Sequence, residues 1–440
     1  MSPPTAPPQV LEIISALAAA GFPEAEVAVA AATVFPQLAA IDLAVCLVDQ
    51  QSYPTSTRAE LSAALGATSH YSNAEIESAA DVLFPPPPPA AGDLDLTFGT
   101  GGKIITDFDG RPADARDVLV QSDGKLVVAG YTTNSSSTSD LALIRYNMDG
   151  SLDPSFGTGG KVTTNFNGNS GFGYSMIQQS DGKLVVASST TNSSSTYDFA
   201  LIRYESNGSL DPSFGEGGKV TTNFNGNAGY AYSVTQQSDG KLVVAGYTFT
   251  SSSGIYNFAL SRYESNGSLD LTFGEGGKVT TGFNGLYDSG CSVTQQRDGK
   301  LVVAGYAGYA INSGGNNIDF ALSRYESNGS LDLTFGKGGK VTTDFYGNAD
   351  YAYSMTEQRD GKLVVAGVAT NFSIGGDNFA LSRYNIDGSL DPSFGTGGKV
   401  TTDFAGGDDR AYSVAIQPNG NIILAGTSDG KFALARYLGV

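Results

Sequence analysis

The sequence predicts an all-β fold, a six-bladed β-propeller of four-stranded antiparallel blades, with a small all-α domain before it. Three observations carry this. One motif set recurs six times at a period of about 60 residues: the phenylalanine of an LDxxFG element falls at Phe98, Phe156, Phe214, Phe273, Phe335 and Phe394. Each repeat holds four strand signals bounded by Asp-Gly, Asn-Gly or Gly-Gly pairs, which permit the positive φ of tight hairpins. Residues 9–84 instead show an alanine-rich, helical pattern. Four short strands at a fixed period mean small antiparallel sheets repeated radially or linearly.

The elements of one repeat follow in order. YSVTQQ alternates apolar and polar residues and reads as the innermost strand a. KLVVAG is a short apolar run that suits strand b, buried on both faces. FALSRY reads as strand c and GGKVTTNF as the outermost strand d. The repeats begin on a d strand, Lys103–Phe108, and end on a c strand, Phe432–Tyr437. Pairing these two would close the ring and remove two exposed edges. The domains are therefore an α-helical docking domain at 1–84, a proline-rich linker at 85–92 and the propeller at 93–440. In the first, AEVAVAAATVFP at 25–36 matches AEIESAADVLFP at 74–85, so two helical hairpins are expected. The unbroken prolines Pro85 to Pro89 form a stiff polyproline II spacer.

The motifs LDPSFG, GGKV, SDGKLVVAG and FALxRY resemble the delta-sixty repeat family of bacterial β-propeller domains, over about residues 93–440. That resemblance implies the propeller fold and a surface or secreted setting. It carries over no catalytic residue.

Composition excludes some functions. The chain has 440 residues, 44 acidic against 25 basic, and a formal charge of −19. A nucleic-acid partner would need a basic footprint, so none is expected. Two cysteines and one histidine build no disulfide framework or zinc motif. Met1–Pro8 lacks the basic segment of a secretory signal, and no apolar run reaches a membrane-spanning length.

Comparing the six copies separates uniform parts from variable ones. The a–b turn and the c–d connection hardly change, whereas the d–a and b–c loops vary freely. Strand direction puts both variable sets at one end of every blade. Loops at one end of a rigid scaffold are a usual place for binding; drift in unconstrained loops would look the same. At the inner mouth the equivalent positions are Arg116, Tyr174, Tyr232, Cys291, Tyr353 and Tyr412, with Tyr230 and Tyr351 beside them. Tyrosine amid asparagine, serine and glycine suits adaptable recognition and stacking on sugar rings. It also suits a collar that plugs the channel. Arg116, Tyr174, Tyr230, Tyr232, Tyr351, Tyr353 and Tyr412 are the candidate ligand-binding residues, with a surface glycan as partner.

Asp107, Asp109, Asp408 and Asp409 lie in the first and last d–a loops, neighbours across the expected closure, where carboxylates and carbonyls could hold Ca²⁺. No other cofactor is implied. The strand-c arginines and the LDxxFG aspartates recur in every repeat, so they are expected to pair structurally rather than catalyse. No nucleophile elbow, zinc-protease or phosphate-loop motif occurs.

The expected function is thus a non-enzymatic binding or structural protein. Its setting would be a virion or extracellular surface, as a phage tail fibre or other virion appendage. Residues 1–84 would dock on a larger protein assembly. A bacterial extracellular adhesin and a propeller enzyme acting on glycans or lactones are the alternatives.

Overall fold

Alternating side chains and glycine turns fold each repeat into one antiparallel sheet, seen here in a computed structural model. The structure describes residues 99–439 except 101–103, 167, 284, 312–314, 372–375, 405–407, 418, 419, 429 and 430, together with Ala28, Ala31, Ala63, Leu65 and Ser72. The chain divides into two units, Met1–Leu96 and Thr97–Val440. In the first, Ala28, Ala31, Ala63 and Leu65 are helical. Otherwise the expected all-α domain and the linker lie outside the described residues.

In the second unit, blade 1 is β1 (Ala113–Val120), β2 (Leu126–Thr133), β3 (Ser139–Tyr146) and β4 (Lys161–Thr164). Blade 2 is β5 (Gly171–Gln178), β6 (Leu184–Thr191), β7 (Tyr197–Tyr204) and β8 (Lys219–Thr222). Blade 3 is β9 (Ala228–Gln236), β10 (Leu242–Thr250), β11 (Ile255–Tyr263) and β12 (Lys278–Thr281). Blade 4 is β13 (Ser289–Gln295), β14 (Leu301–Ile311), β15 (Gly315–Tyr325) and β16 (Lys340–Thr343). Blade 5 is β17 (Asp350–Glu357), β18 (Leu363–Asn371), β19 (Gly376–Tyr384) and β20 (Lys399–Thr402). Blade 6 has three strands, β21 (Asp409–Ile416), β22 (Ile422–Ser428) and β23 (Lys431–Tyr437). The first five sheets run a-b-c-d and the sixth a-b-c, all without crossovers.

Strand b shows why the apolar run does not alternate. Leu184, Val185, Val186 and Ala187 are all 0% exposed. Leu184 and Val186 pack with Val127 and Leu143 of blade 1, while Val185 and Ala187 pack with Val244 and Ala259 of blade 3. Both faces of the strand are core, one for each neighbouring blade. Full burial of such a side chain stabilises by about 1.5–3 kcal/mol.

The uniform end of each blade is a repeated node. Arg203 and Lys183 both bond Asp211 Oδ2, at 2.6 and 2.8 Å. The Arg203 guanidinium lies 4.5 Å from the centre of the Phe214 ring and donates to the Ser265 carbonyl of blade 3. Arg145–Asp153, Arg262–Asp270, Arg324–Asp332 and Arg383–Asp391 repeat the ion pair. The structural pairing expected of these residues is present in the five complete blades. The node staples strand c to its own c–d loop and, through Arg145, Arg203, Arg262 and Arg324, to the next blade.

The expected closing strand differs. Ile104 to Asp107 carry no strand, Phe108 only bridges Arg111, and β23 pairs with β22 alone. The side chains explain what this segment does instead. Gly99 N donates to Asp149 O at 2.8 Å, Thr106 Oγ1 bonds Tyr146 OH at 2.6 Å, and Ile104 packs on the blade 1 face. These repeat the docking of β4 on blade 2, where Gly157 N donates to Asn207 O and Thr164 bonds Tyr204. The segment holds the neighbour-facing half of a d strand's contacts without its ladder. Inner strands pack in order from β1 to β21, but among the described residues β21 makes no comparable contact with β1. The closure is not formed in this structure.

Candidate functional site

The variable loops do share one end. Thr133 N donates to Pro112 O, Thr191 N to Ser170 O, Leu286 N to Gly308 O and Thr370 N to Ala349 O, so d–a and b–c loops are bonded together at that end.

What places the candidate tyrosines is a β-bulge. Each inner strand slips register once, and the residue skipped is Arg116, Tyr174, Tyr232, Cys291, Tyr353 or Tyr412. A bulge leaves one residue unpaired and re-aims its side chain. The glycine closing LVVAG sits opposite. A Cβ on Gly246 would meet Tyr230 O at 1.8 Å, and one on Gly305 would meet Ser289 O at 1.9 Å. Blade 2 departs, with buried Ser188 at this place.

These side chains and their neighbours form an aromatic belt. Arg116 lies over Tyr131 at 5.5 Å. Tyr131 then meets Phe172 at 5.0 Å, Tyr174 meets Tyr232 at 5.1 Å, and Tyr232 meets Tyr247 at 5.6 Å. Tyr230 stacks on Tyr247 at 4.7 Å. A second stretch joins Tyr306 to Tyr351 at 5.0 Å, Tyr351 to Tyr353 at 6.4 Å and Tyr353 to Tyr412 at 5.5 Å. Tyr412 is 49% exposed, while Tyr174, Tyr230, Tyr232, Tyr351 and Tyr353 are half-buried. Burial raises the hydroxyls of Tyr174, Tyr232 and Tyr353 and pushes Tyr230 up to about 12. All stay protonated at neutral pH and offer both donor and acceptor. Burial also pushes the Cys291 thiol up to about 12, which leaves it an inert wall of the belt.

The expected acidic site does not assemble. Asp107 accepts from Gly110 N with both oxygens. Asp408 receives the Asp377 amide and the Arg410 guanidinium, and Asp409 is fully buried with Oδ2 on Phe404 N. Asp107 and Asp109 lie beside β1, Asp408 and Asp409 at β21, and the closure that would join them is not formed. Among the described residues the one group of three acids close enough to share an ion is Asp319, Asp344 and Asp350. It lies on the same loop face. Burial, and then the mutual repulsion of these acids, push Asp350 up to about 8 and Asp319 up to about 6. Asp319 lies within β15, Asp344 just after β16 and Asp350 at the start of β17, in two blades, so spacing along the chain did not mark the three as a group.

No curated protein matches the chain. Several solved structures are similar. One is a protein of unknown function from Dyadobacter fermentans, 10% identical, covering 76% of this chain and 96% of that one, with a TM-score of 0.43. Another is a mutant of the α-L-arabinofuranosidase Arb93a from Fusarium graminearum with an iminosugar inhibitor, 9% identical, covering 74% and 91%, with a TM-score of 0.44. A third is an ulvan lyase of a new polysaccharide lyase family, 13% identical, covering 73% and 78%, with a TM-score of 0.42. Enzymes stand among these structures, so the expectation of a non-enzymatic protein is not upheld. Residues 121–156, 179–214, 237–273, 296–335 and 358–394 match a family model described as a domain of unknown function (DUF5122) beta-propeller, and each match ends on the LDxxFG phenylalanine. Five of the repeats in this chain thus match a DUF5122 beta-propeller family model.

Proposed function

We propose that the loop face of the propeller is a ligand-binding surface, with the bulge-borne aromatic belt as its floor and carbohydrate as its ligand class. The observation that supports this is the bulge itself. Six inner strands each break their ladder at one place, and four of the six residues so presented are tyrosines. Flat rings with protonated hydroxyls, rimmed by Asn- and Ser-rich loops, suit the apolar faces and hydroxyls of sugar rings. At the opposite end the Arg–Asp–Phe nodes are buried and their side chains are committed to one another. Finer than the family match, we also read the repeats as delta-sixty units, on LDPSFG, GGKV, SDGKLVVAG and FALxRY.

The test is a glycan array followed by calorimetry on the best hit. Tyr412→Ala, at the most exposed ring, should weaken binding several-fold with little change in Tm. Tyr232→Ala should weaken binding as well and lower Tm, since that ring also packs on Tyr174 and Tyr247. A protein that retains no glycan, or a hit indifferent to both substitutions, would overturn the proposal.

A further inference from the structure

Three equivalent positions stand at each blade junction on the loop face: one in strand c, one ending strand d, and one opening the next inner strand. At the first two junctions they are Asp140, Asn165, Gly171 and Asp198, Asn223, Gly229. There the single acid is satisfied by an amide: Asn165 and Asn223 donate to Asp140 and Asp198 at 2.7 Å. The third junction has Asn257, Gly282 and Asp288, and the fifth has Asn378, Asp403 and Asp409, so each keeps an amide. Only the fourth has three acids, Asp319, Asp344 and Asp350.

We propose that Asp319, Asp344 and Asp350 bind a Ca²⁺ ion at the junction of blades 4 and 5. One oxygen from each carboxylate lies within 4.8 Å of the others. Ca²⁺ holds its oxygens at about 2.3–2.6 Å, so two ligands on opposite sides stand about 5 Å apart; Mg²⁺, at about 2.0–2.1 Å, would need them closer. Asp350 is 0% exposed, and its Oδ1 has no hydrogen-bond partner, nor does the buried Oδ1 of Asp319. A buried carboxylate oxygen without a donor is costly unless a cation or proton compensates it.

The remaining oxygens fix the geometry. Asp350 Oδ2 takes the Phe345 amide at 2.7 Å, and Asp344 Oδ1 takes the Gly347 amide at 2.5 Å. Asp344 is exposed and opens the site to solvent. The nearest base does not replace the ion. Lys399 Nζ donates to the Asp344 carbonyl at 2.8 Å, and Lys161, Lys219, Lys278 and Lys340 make the same bond at the other d–a loops, where no such cluster exists. Tyr384 also faces Asp350, as a neutral hydroxyl. Asp288 and Asp409 leave an oxygen unpartnered too, but their neighbours include Asn257 or Asn378, so three carboxylates do not gather.

The test uses the full chain, stripped with a chelator and titrated with CaCl₂ or MgCl₂ by calorimetry and by thermal unfolding. Ca²⁺ should bind at one site and raise Tm saturably, with Mg²⁺ weaker. Asp319→Asn and Asp344→Asn install the amides that other junctions use, so both should fold. Each should abolish most of the Ca²⁺ shift and raise the Tm of the stripped protein. Absence of Ca²⁺ binding in the wild type, or a shift that survives both substitutions, overturns the proposal. So does stability that follows pH alone, which would mean that the cluster holds a proton. The readout is metal binding itself, so failure here leaves the carbohydrate reading untouched.

Discussion

Val118 and Met176 occupy the same register in the inner strands of blades 1 and 2, yet they meet different surroundings. Val118 is 60% exposed; its five equivalents, Met176, Val234, Val293, Met355 and Val414, are between 5% and 8% exposed. Arg436 shows the same contrast from the other side of the gap. It is exposed, while Arg145, Arg203, Arg262, Arg324 and Arg383 are 2–7% exposed. Blade 1 is built like blades 2 to 5, whereas blade 6 has three strands and no LDxxFG aspartate after Arg436. Both also lack a neighbour on one face. A blade does not bury its own faces; the adjoining blade does, as in any array whose units stack.

The largest effect that tests this contrast is at the node. Arg203→Ala leaves the Asp211 carboxylate buried with only part of its partners, and should cost about 3–5 kcal/mol in urea unfolding. Arg436→Ala should cost under about 0.5 kcal/mol, the usual range for exposed positions. Equal losses would show that Arg436 finds a carboxylate in solution, and the contrast between interior and terminal blades would collapse.

Next in size is the pair that opened the comparison. Met176→Ala opens a cavity between blades 1 and 2 and should cost about 2–5 kcal/mol. Val118→Ala, on the open face, should cost under about 0.5 kcal/mol. A Val118→Ala loss above about 1 kcal/mol by the same denaturant curves would mean that this face is covered in solution.

A smaller effect should appear in acid. Burial alone would raise Asp211, but Lys183, the Ser213 hydroxyl and amide, and Arg203 outweigh it and hold the carboxyl well below the usual carboxylate range. Asp153, Asp270, Asp332 and Asp391 behave alike. A carboxyl lowered in the folded state stabilises fully above its unfolded value of about 3.9, and that stability is lost as pH falls toward the folded value. The denaturation midpoint should therefore hold steady from about pH 5 upward as far as these groups set it, and drop below about pH 4. Asp211→Asn should be less stable at neutral pH and show a shallower acid slope. An unchanged slope would deny the node its electrostatic role.

The smallest effect is expected at Tyr412. It is the bulge residue of blade 6, and among the described residues Tyr353 is the one ring that meets it, at 5.5 Å. Tyr412→Ala should shift Tm less than Tyr353→Ala, whose ring contacts both Tyr351 and Tyr412. Differential scanning calorimetry of the two variants ranks them, and the reverse order would contradict the idea that blade 6 is the less supported end.

The strand expected at 103–108 was not formed, but the strands of the six sheets, the turn positions and the gathering of variable loops at one end were legible in the chain. These depend on period-two patterning and on glycines such as Gly182 and Gly240 at positive φ, which act within a few residues. The arginine–aspartate pairing was legible as well, because eight residues separate Arg203 from Asp211, as in the four other complete blades. The sequence also marked Tyr174, Tyr232, Tyr353 and Tyr412 as equivalent, but not that a bulge presents them. A bulge shows only when two strands are laid in register. The grouping of Asp319, Asp344 and Asp350 needed more still, since their strands belong to two blades and meet only after the blades pack. Whether the first and last blades touch depends on the summed angles between all six sheets. No local pattern encodes that sum, so the gap beside Val118 and Arg436 is a property of the tertiary structure alone.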